Sequence, residues 1–244
     1  MAAKAKNPPF AAFMLSRGAL KVARSEAEYF TLKSGRRSPV FFNSGSLIDG
    51  EALDVLANAY AARIAELLKT KQLEDFEFIF GPAYKGIPLG ALTAAALSRN
   101  HKLNKKFLYD RKEAKTHGDV KADALIVGAN QFVQGGKILM IDDVITTGAA
   151  KFEAYEKLGL LGSFKLVGIL VAVDRQEASG DADTMGPGAA EEIVSRLHCP
   201  LYSIATMGDL FSALSPTLPQ PAASAWKAYF SKYGTAAAKK WAGK

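Results

Sequence analysis

The sequence predicts an α/β protein built on a mostly parallel β-sheet that is flanked by helices. Short apolar runs, typical of strands buried on both faces, recur along the chain and are separated by helix-like or polar stretches. They lie at 76–80, 106–110, 137–143, 166–174 and 201–205. The length of 244 residues suits one such domain, because a chain of this size buries roughly 70% of its unfolded surface.

Helical spacing of apolar residues predicts the helices around this sheet. We expect helices over 10–24, 49–68 and 149–160, the second of them capped at its start by Asp49. Alternating residues with several aromatic side chains over 29–43 predict a hairpin or short strands.

No linker or internal repeat divides the chain, so we expect a single domain over 1–244. Within it we assign a small N-terminal hood to about 1–48, a core to about 49–210 and a helical C-terminal extension to about 216–244. The extension is rich in alanine and lysine, and its two tryptophans are expected to anchor it.

Composition excludes several classes of protein. With 49% hydrophobic and 23% charged residues, the chain is not expected to be disordered. The one cysteine, Cys199, excludes an internal disulfide and a cysteine-rich zinc site. No apolar run approaches about 18 residues, which argues against a membrane span, and the N-terminus lacks the apolar stretch of a secretion signal. We therefore expect a cytoplasmic protein.

The net charge favours an acidic ligand. Lysine and arginine exceed the acidic residues by 31 − 24 = 7, a balance that suits nucleic acid, an anionic membrane or a small polyanionic substrate. In parallel sheets, ligands bind beyond the carboxyl ends of the strands. The segments that follow the predicted strands supply Lys85, Arg111, Lys112, Lys115, His117 and Arg175. This grouping points to a substrate with several phosphates.

The segment 138–150 carries the strongest single signal. Asp142 and Asp143 follow an apolar strand, where they can accept hydrogen bonds from vicinal hydroxyls and attract hydrated Mg²⁺. A turn that leads into a helix comes next, and its backbone N–H groups and the helix dipole favour a phosphate. Gly148 gives the turn its conformational freedom. The turn and its flanks comprise Val144, Ile145, Thr146, Thr147, Gly148, Ala149 and Ala150.

This segment resembles the phosphoribosyl-diphosphate (PRPP) motif of the type I phosphoribosyltransferases. The run 81–86 has two glycines at Walker A spacing, but it is no Walker A loop, because Ile87 stands where a lysine is needed after Gly86. Segments at 30–45, 81–90, 109–119 and 174–177 resemble orotate phosphoribosyltransferase in the same order, over roughly residues 10–210. The resemblance implies the type I phosphoribosyltransferase fold with a small N-terminal hood.

The same resemblance implies a pentosyl transfer. The 5-phosphoribosyl group of PRPP would pass to N1 of orotate, giving orotidine 5′-monophosphate and pyrophosphate in de novo pyrimidine biosynthesis. It implies catalytic roles for Lys115, Asp142 and Asp143, and orotate contacts by Lys33, Phe41, Phe42, Thr146 and Arg175. For the two phenylalanines, ordinary core packing of one of them stays open. PRPP would bind Lys33, Tyr84, Lys85, Arg111, Lys112, Lys115, His117 and residues 142–150.

Further expectations concern cofactor and partners. Mg²⁺ is expected near Asp142 and Asp143, held mainly through PRPP and water. Residues 111–117 resemble a flap that closes over pyrophosphate and reaches the neighbouring subunit, which implies a homodimer with shared active sites. No nucleic-acid or membrane partner is expected. Ala149 departs from the family pattern, which has a threonine there, so one hydroxyl donor is missing.

Two alternative functions stay open at this point. The first is a phosphoribosyltransferase for another nucleobase, since the PRPP motif alone does not select the acceptor. The second is a PRPP-sensing regulator that binds nucleic acid, which the positive net charge permits but no additional DNA-binding module supports.

Overall fold

The computed structural model describes residues 8–111, 125–145 and 148–243. These residues form two compact units, to which we give names. The terminal unit contains the described residues up to Ala52, the segment Val173–Glu192 and the described residues from Ala205 onward. The sheet unit contains Leu53–Ala172 and Ile193–Ile204.

The N-terminal elements belong to the terminal unit. They are helix α1 (Pro8–Ser16) and strands β1 (Leu20–Val22), β2 (Phe30–Thr31), β3 (Arg37–Ser38) and β4 (Val40–Phe42). The predicted helix over 10–24 is wrong in its second half. Helix α1 ends at Ser16, and Gly18 adopts the left-handed backbone conformation with φ 67°. Strand β1 then pairs antiparallel with β4. Strands β2 and β3 form the expected hairpin.

The remaining elements follow in chain order. Helix α2 (Gly50–Lys69) is capped as predicted, since the Asp49 Oδ1 atom accepts a hydrogen bond of 2.8 Å from the Ala52 N–H. The others are β5 (Phe78–Gly81), α3 (Gly86–Ala96), β6 (Lys106–Asp110), β7 (Ile126–Val127), β8 (Gly136–Val144), α4 (Ala149–Leu158), β9 (Phe164–Asp174), α5 (Ala189–Leu197), β10 (Leu201–Thr206), α6 (Met207–Leu214), α7 (Gln220–Tyr233) and α8 (Ala236–Ala242).

A six-stranded sheet has the order β10-β9-β8-β5-β6-β7. Strand β5 pairs parallel with both β6 and β8, while the short β7 pairs antiparallel with β6. The five predicted strands are confirmed, with ends shifted by a few residues. Strand β7 has only two residues, too few for a periodic pattern to reveal it. The parallel pairing brings the carboxyl ends of β5, β6 and β8 to one edge of the sheet.

The centre of the sheet is apolar throughout. Residues 138–141 of β8 and 169–172 of β9 have no exposed surface, as expected for strands covered on both faces. Among the described residues, no helix combines the length and the apolar character that crossing a bilayer would require.

The C-terminal extension is helical, as expected, and its helix is divided into two. Gly234 separates α7 from α8, and a Cβ atom there would lie 2.4 Å from the Phe230 carbonyl oxygen. Trp226 is fully buried, with its ring centroid 5.5 Å from that of Phe211, and the Trp241 ring stacks on Phe211 at 5.4 Å. Both tryptophans therefore anchor the extension within the terminal unit, as expected.

Candidate active site

Asp142 and Asp143 end the buried part of strand β8, and each pairs with a lysine. The Lys85 Nζ atom, which follows β5, lies 2.7 Å from Asp143 Oδ2. The Lys151 Nζ atom, in the first turn of α4, contacts Asp142 Oδ2 and donates a 2.7 Å hydrogen bond to the Val144 carbonyl oxygen. Two carboxylates and two ammonium groups thus form a compact cluster at the carboxyl edge of the sheet.

The other carboxylate oxygens of this pair accept backbone hydrogen bonds. The Asp143 N–H donates to Asp142 Oδ1, and the Val144 N–H donates to Asp143 Oδ1, each at 2.9 Å. Both aspartates are less than a tenth exposed. These bonds fix the direction of each carboxylate, so the acidic pair is pre-organised for a ligand.

Burial governs the protonation of the groups around Asp142. Removal from water raises the pKa of the Asp142 carboxyl, against the opposing effect of the Lys151 ammonium. The buried Tyr60 hydroxyl donates a 2.7 Å hydrogen bond to the Asp142 main-chain oxygen. Burial, together with the charges of Asp143 and Asp142, raises the pKa of Tyr60 well above its usual value. Tyr60 therefore remains a hydrogen-bond donor under the end of β8.

Lys151 and Tyr60 are two residues that sequence reasoning missed. Tyr60 lies within the amphipathic pattern of α2 and gives no separate signal. Lys151 does give one, because a cation in the first turn of a helix is unfavourable next to the helix dipole unless an acidic partner compensates it. A lysine eight residues after an aspartate pair was the available clue.

Gly148, which precedes helix α4, has the unusual backbone conformation expected for it. Gly148 adopts φ 77°, and it precedes Ala149, the first residue of α4. A Cβ atom at Gly148 would lie 3.1 Å from Ile193 Cγ1, so both conformation and space favour glycine. Ala149 and Ala150 are exposed at the helix start, which suits an anion. Ile145 is buried and Val144 is half-buried.

A tight turn after β5 presents Tyr84 and Lys85. Gly81 and Gly86 close this turn, since a Cβ atom on Gly81 would lie 2.1 Å from the Gly86 carbonyl oxygen. Tyr84 is 70% exposed, and the Lys85 side chain is about half exposed although its Nζ atom is paired. Both side chains are therefore accessible to a ligand at the edge that carries Asp143.

Asp110, at the end of β6, is another buried acid that the sequence analysis did not single out. Its Oδ1 atom accepts a 2.5 Å hydrogen bond from the Ala83 N–H, and its Oδ2 atom lies 2.8 Å from Lys157 Nζ. Asp110 thereby supports the turn before Tyr84. Arg111 follows directly, and its N–H donates to the Leu125 carbonyl oxygen at 2.7 Å.

Three predicted acceptor residues lie in the N-terminal part of the terminal unit. Lys33 is exposed in the turn between β2 and β3. Phe41 is half-buried and stacks on Phe30 with a centroid distance of 5.6 Å. Phe42 is buried in the core. Phe41 is thus the ring of this pair that a ligand could reach, and Phe42 packs in the interior.

Arg175, another of the five predicted acceptor residues, has a partner within its own unit. Its Nη2 atom lies 2.9 Å from each carboxylate oxygen of Glu177. Burial raises the pKa of the preceding Asp174, whose Oδ1 atom accepts a 2.8 Å hydrogen bond from the Gln176 N–H. Arg175 is therefore held in place by its sequence neighbours.

Five predicted site residues fall between the described ranges. Lys112, Lys115, His117, Thr146 and Thr147 lie outside the described residues. Within the described ranges, no group of three or more histidine, cysteine, aspartate or glutamate side chains is arranged to hold a metal ion.

The sequence and fold are similar to those of known phosphoribosyltransferases, although no protein-family model matches the chain. An orotate phosphoribosyltransferase of Acinetobacter baumannii is 43% identical over 92% of this chain and 94% of its own length. One from Bifidobacterium adolescentis is 39% identical over 84% of each chain. The crystal structure of the Francisella tularensis enzyme superimposes with a TM-score of 0.75, at 33% identity, over 93% of this chain and 99% of that one. The expected type I phosphoribosyltransferase fold is confirmed, and the chain belongs to the orotate phosphoribosyltransferase family.

Proposed function

We propose that this protein transfers the 5-phosphoribosyl group of PRPP to N1 of orotate, giving orotidine 5′-monophosphate and pyrophosphate. The observation that carries the proposal is the pre-organised Asp142–Asp143 pair at the end of a buried strand, directly before the Gly148 turn and helix α4. The relatives named above, which align over nearly the whole chain, support it. The reaction is a step of pyrimidine nucleotide biosynthesis.

In this proposal the β8–α4 segment binds the ribose 5-phosphate part of PRPP. The phosphate accepts hydrogen bonds from the backbone around Gly148, Ala149 and Ala150 and from the hydroxyls of Thr146 and Thr147. Asp142 and Asp143 accept hydrogen bonds from the ribose hydroxyls. Val144 and Ile145 link these two parts of the site.

The cations neutralise the leaving pyrophosphate. As the bond between C1 and the pyrophosphate oxygen breaks, C1 becomes positive, and the new bond to orotate N1 forms with the electron pair that N1 carries after losing its proton to solvent. Within the described cluster, the charges of Lys85 and Lys151 are already balanced by Asp143 and Asp142. Further cations are needed, and we assign this role to Arg111, Lys112, Lys115 and His117, with Tyr84 as a neighbouring contact.

The carboxylates of Asp142 and Asp143 fit a hydrated magnesium ion bound near them. Carboxylate oxygens are ligands that Mg²⁺ prefers. However, all four carboxylate oxygens of Asp142 and Asp143 already accept a hydrogen bond. The ion would therefore be held through water and the oxygens of PRPP. When bound, it adds positive charge beside the departing pyrophosphate.

For the acceptor, we propose that Arg175 binds the orotate carboxylate through its planar guanidinium. Lys33 and Thr146 contribute further polar contacts, and the accessible ring of Phe41 packs against the pyrimidine, with Phe42 supporting it from the core. A homodimer with shared active sites and a cytoplasmic location are part of the same proposal.

A comparison of acceptors tests this function. We expect rapid, PRPP- and Mg²⁺-dependent consumption of orotate, measured by its ultraviolet absorbance, and little turnover of uracil or hypoxanthine, because neither carries the carboxylate that Arg175 would bind. Faster turnover of uracil or hypoxanthine would assign the chain to another nucleobase. Salt-sensitive DNA binding without any turnover would favour a regulator.

A further inference from the structure

The C-terminal helices hold the backbone of the segment that follows Arg175. The Thr235 N–H donates to the Gln176 carbonyl oxygen, and the Ala178 N–H donates to the Tyr233 carbonyl oxygen, each at 2.9 Å. Glu177 and Gly234 face each other between these bonds as an antiparallel bridge. The connection between α7 and α8 thus pairs with residues 176–178 as a short strand would.

The Gln176 side chain adds a second attachment. Its Oε1 atom accepts hydrogen bonds from the Gly208 N–H at 3.0 Å and from the Trp241 indole Nε1–H at 3.1 Å. Gln176 itself has φ 52°, in the left-handed region that side-chain-bearing residues seldom adopt. A residue in that conformation persists only where its surroundings hold it, and here the bonds come from α6 and from the C-terminal helices.

Trp241 is a rigid donor for this contact. Its ring stacks on Phe211 at 5.4 Å and packs against Phe230 at 5.2 Å. A Cβ atom at Gly208 would lie 2.6 Å from Trp241 Nε1, so the ring can approach Gln176 only because position 208 has no side chain. The indole, the glycine and the glutamine therefore form one closely fitted junction.

This junction lies directly beside Arg175 in the chain. Gln176 is its neighbour in the chain, and Glu177, the residue bridged to Gly234, binds the Arg175 guanidinium through both carboxylate oxygens. Displacement of Gln176 and Glu177 would move the guanidinium as well. The C-terminal helices and their connection thus contact both residues that follow Arg175, and one of those residues binds its guanidinium.

We infer that helices α7 and α8 are a positioning scaffold for Arg175, and that Trp241 is a positioning residue for the acceptor that Arg175 binds. This inference rests on the proposed function, since it concerns the carboxylate-bearing acceptor. It predicts that changes in the junction alter the use of orotate and leave the use of PRPP unchanged.

Two tryptophan variants provide a matched test. Trp241→Phe keeps an aromatic ring against Phe211 and removes the N–H donor. We expect the KM for orotate to rise about threefold to tenfold, with the KM for PRPP unchanged. Trp226→Phe is the control, because Trp226 also packs on Phe211 but its buried Nε1 has no partner among the described residues. That variant should leave both KM values unchanged even if it lowers Tm.

Gly208→Ala examines the junction with the indole intact. The added methyl group must displace the Trp241 ring, so we expect the KM for orotate to rise as in Trp241→Phe. Equal behaviour of Trp241→Phe and Trp226→Phe would overturn the inference, as would a parallel rise of both KM values in Trp241→Phe, which would indicate general disruption.

Hydrogen exchange separates this inference from the proposed function, because it needs no substrate. Trp241→Phe should lower the protection of the amides of 176–178, and unchanged protection would refute the scaffold. If the wild-type protein does not convert orotate while the variant does lose this protection, the proposed function fails and the scaffold stands as a structural feature alone.

Discussion

Two buried cations, Lys151 in the sheet unit and Arg36 in the terminal unit, are stabilised in different ways. Lys151 is 5% exposed and binds the carboxylate of Asp142 and the carbonyl oxygen of Val144, both within nine residues of it in the sequence. Arg36 is 2% exposed, and no described carboxylate pairs with it. Its guanidinium donates to the carbonyl oxygens of Ala178, Ser179, Asp181 and Thr184 at 2.6–3.2 Å and stacks on Tyr233 at 4.8 Å.

The difference shows two ways to balance a buried charge. In the sheet unit an acid and a base neutralise each other within one short motif, so both partners are visible in a short stretch of sequence. In the terminal unit a cage of main-chain dipoles surrounds the cation, and its members lie more than 140 residues away. Neutralising Asp142 can therefore compensate for the loss of Lys151, whereas Arg36 has no described acidic partner whose neutralisation could compensate for its loss.

The largest expected effect follows from removing the acids of the sheet unit. Asp142→Asn combined with Asp143→Asn should lower turnover by about a thousandfold and weaken PRPP binding, because the two side chains that would accept hydrogen bonds from the ribose hydroxyls lose their negative charge. Initial rates and equilibrium binding of PRPP measure this. Asp54→Asn is the control, since Asp54 is an exposed acid on α2, paired with Arg99, and should leave both quantities unchanged. Unaltered PRPP affinity of the double variant would contradict the assigned ribose contact.

Arg36→Met should have the largest effect on stability alone. It removes four hydrogen bonds, one of them to the buried Ala178 carbonyl oxygen. At about 1 kcal/mol for each bond, we expect the free energy of unfolding to fall by about 4 kcal/mol. Urea unfolding is the measurement. Arg37→Met is the neighbouring control, because Arg37 is exposed and donates to one carbonyl oxygen, that of Glu26, so the loss should stay below about 1 kcal/mol. Similar losses for the two variants would show that the cage does not stabilise the fold.

Lys151→Met should lower the free energy of unfolding by about 3 kcal/mol, because it leaves the Asp142 carboxylate buried and unpaired. Adding Asp142→Asn should recover part of this loss, since the remaining amide carries no charge. Lys85→Met should cost less than Lys151→Met, because the Lys85 side chain is half exposed and water can enter the space that it leaves beside Asp143. If adding Asp142→Asn recovers none of the lost free energy of unfolding, the unpaired Asp142 carboxylate is not the cause of the loss.

A smaller effect concerns the buried thiol of Cys199. Burial raises the pKa of the Cys199 thiol to about 11, above its ordinary value of 9.0. Between these values the unfolded chain releases a proton that the folded chain retains, so stability should fall as pH rises from about 9 to 11. Cys199→Ser removes this titration and should lose less stability over the same interval. The measurement is urea unfolding of both proteins at pH 8 and at pH 10.5. If both lose the same free energy of unfolding between these pH values, the thiol makes no contribution.

The residues that could be predicted share a local origin. Residues 138–141 of strand β8 are apolar, the two acids come next, and Gly148 directly precedes the next helix. One segment of the sequence therefore specifies the strand, the acids and the proposed phosphate turn. The parallel pairing of β5 with β6 and β8 then explains why Lys85 reaches Asp143. The predicted use of Asp49 as a helix cap is local in the same sense.

The residues that could not be predicted depend on contacts between distant segments. Nothing near Gln176 in the sequence indicates that Trp241 binds its side chain, and nothing near Arg36 indicates a cage of carbonyl groups. The error over 10–24 has a similar cause, because pairing with β4 draws Leu20–Val22 into a strand that helical periodicity had hidden. Such contacts are set by tertiary packing, which overrides local preference.

A crystal structure of the protein with PRPP and Mg²⁺ would show directly where PRPP binds. We expect the 5-phosphate at the turn of Gly148 and the start of α4, with the ribose hydroxyls within hydrogen-bond distance of the Asp142 and Asp143 carboxylates. PRPP bound away from both aspartates, with this turn free of phosphate, would contradict this expectation.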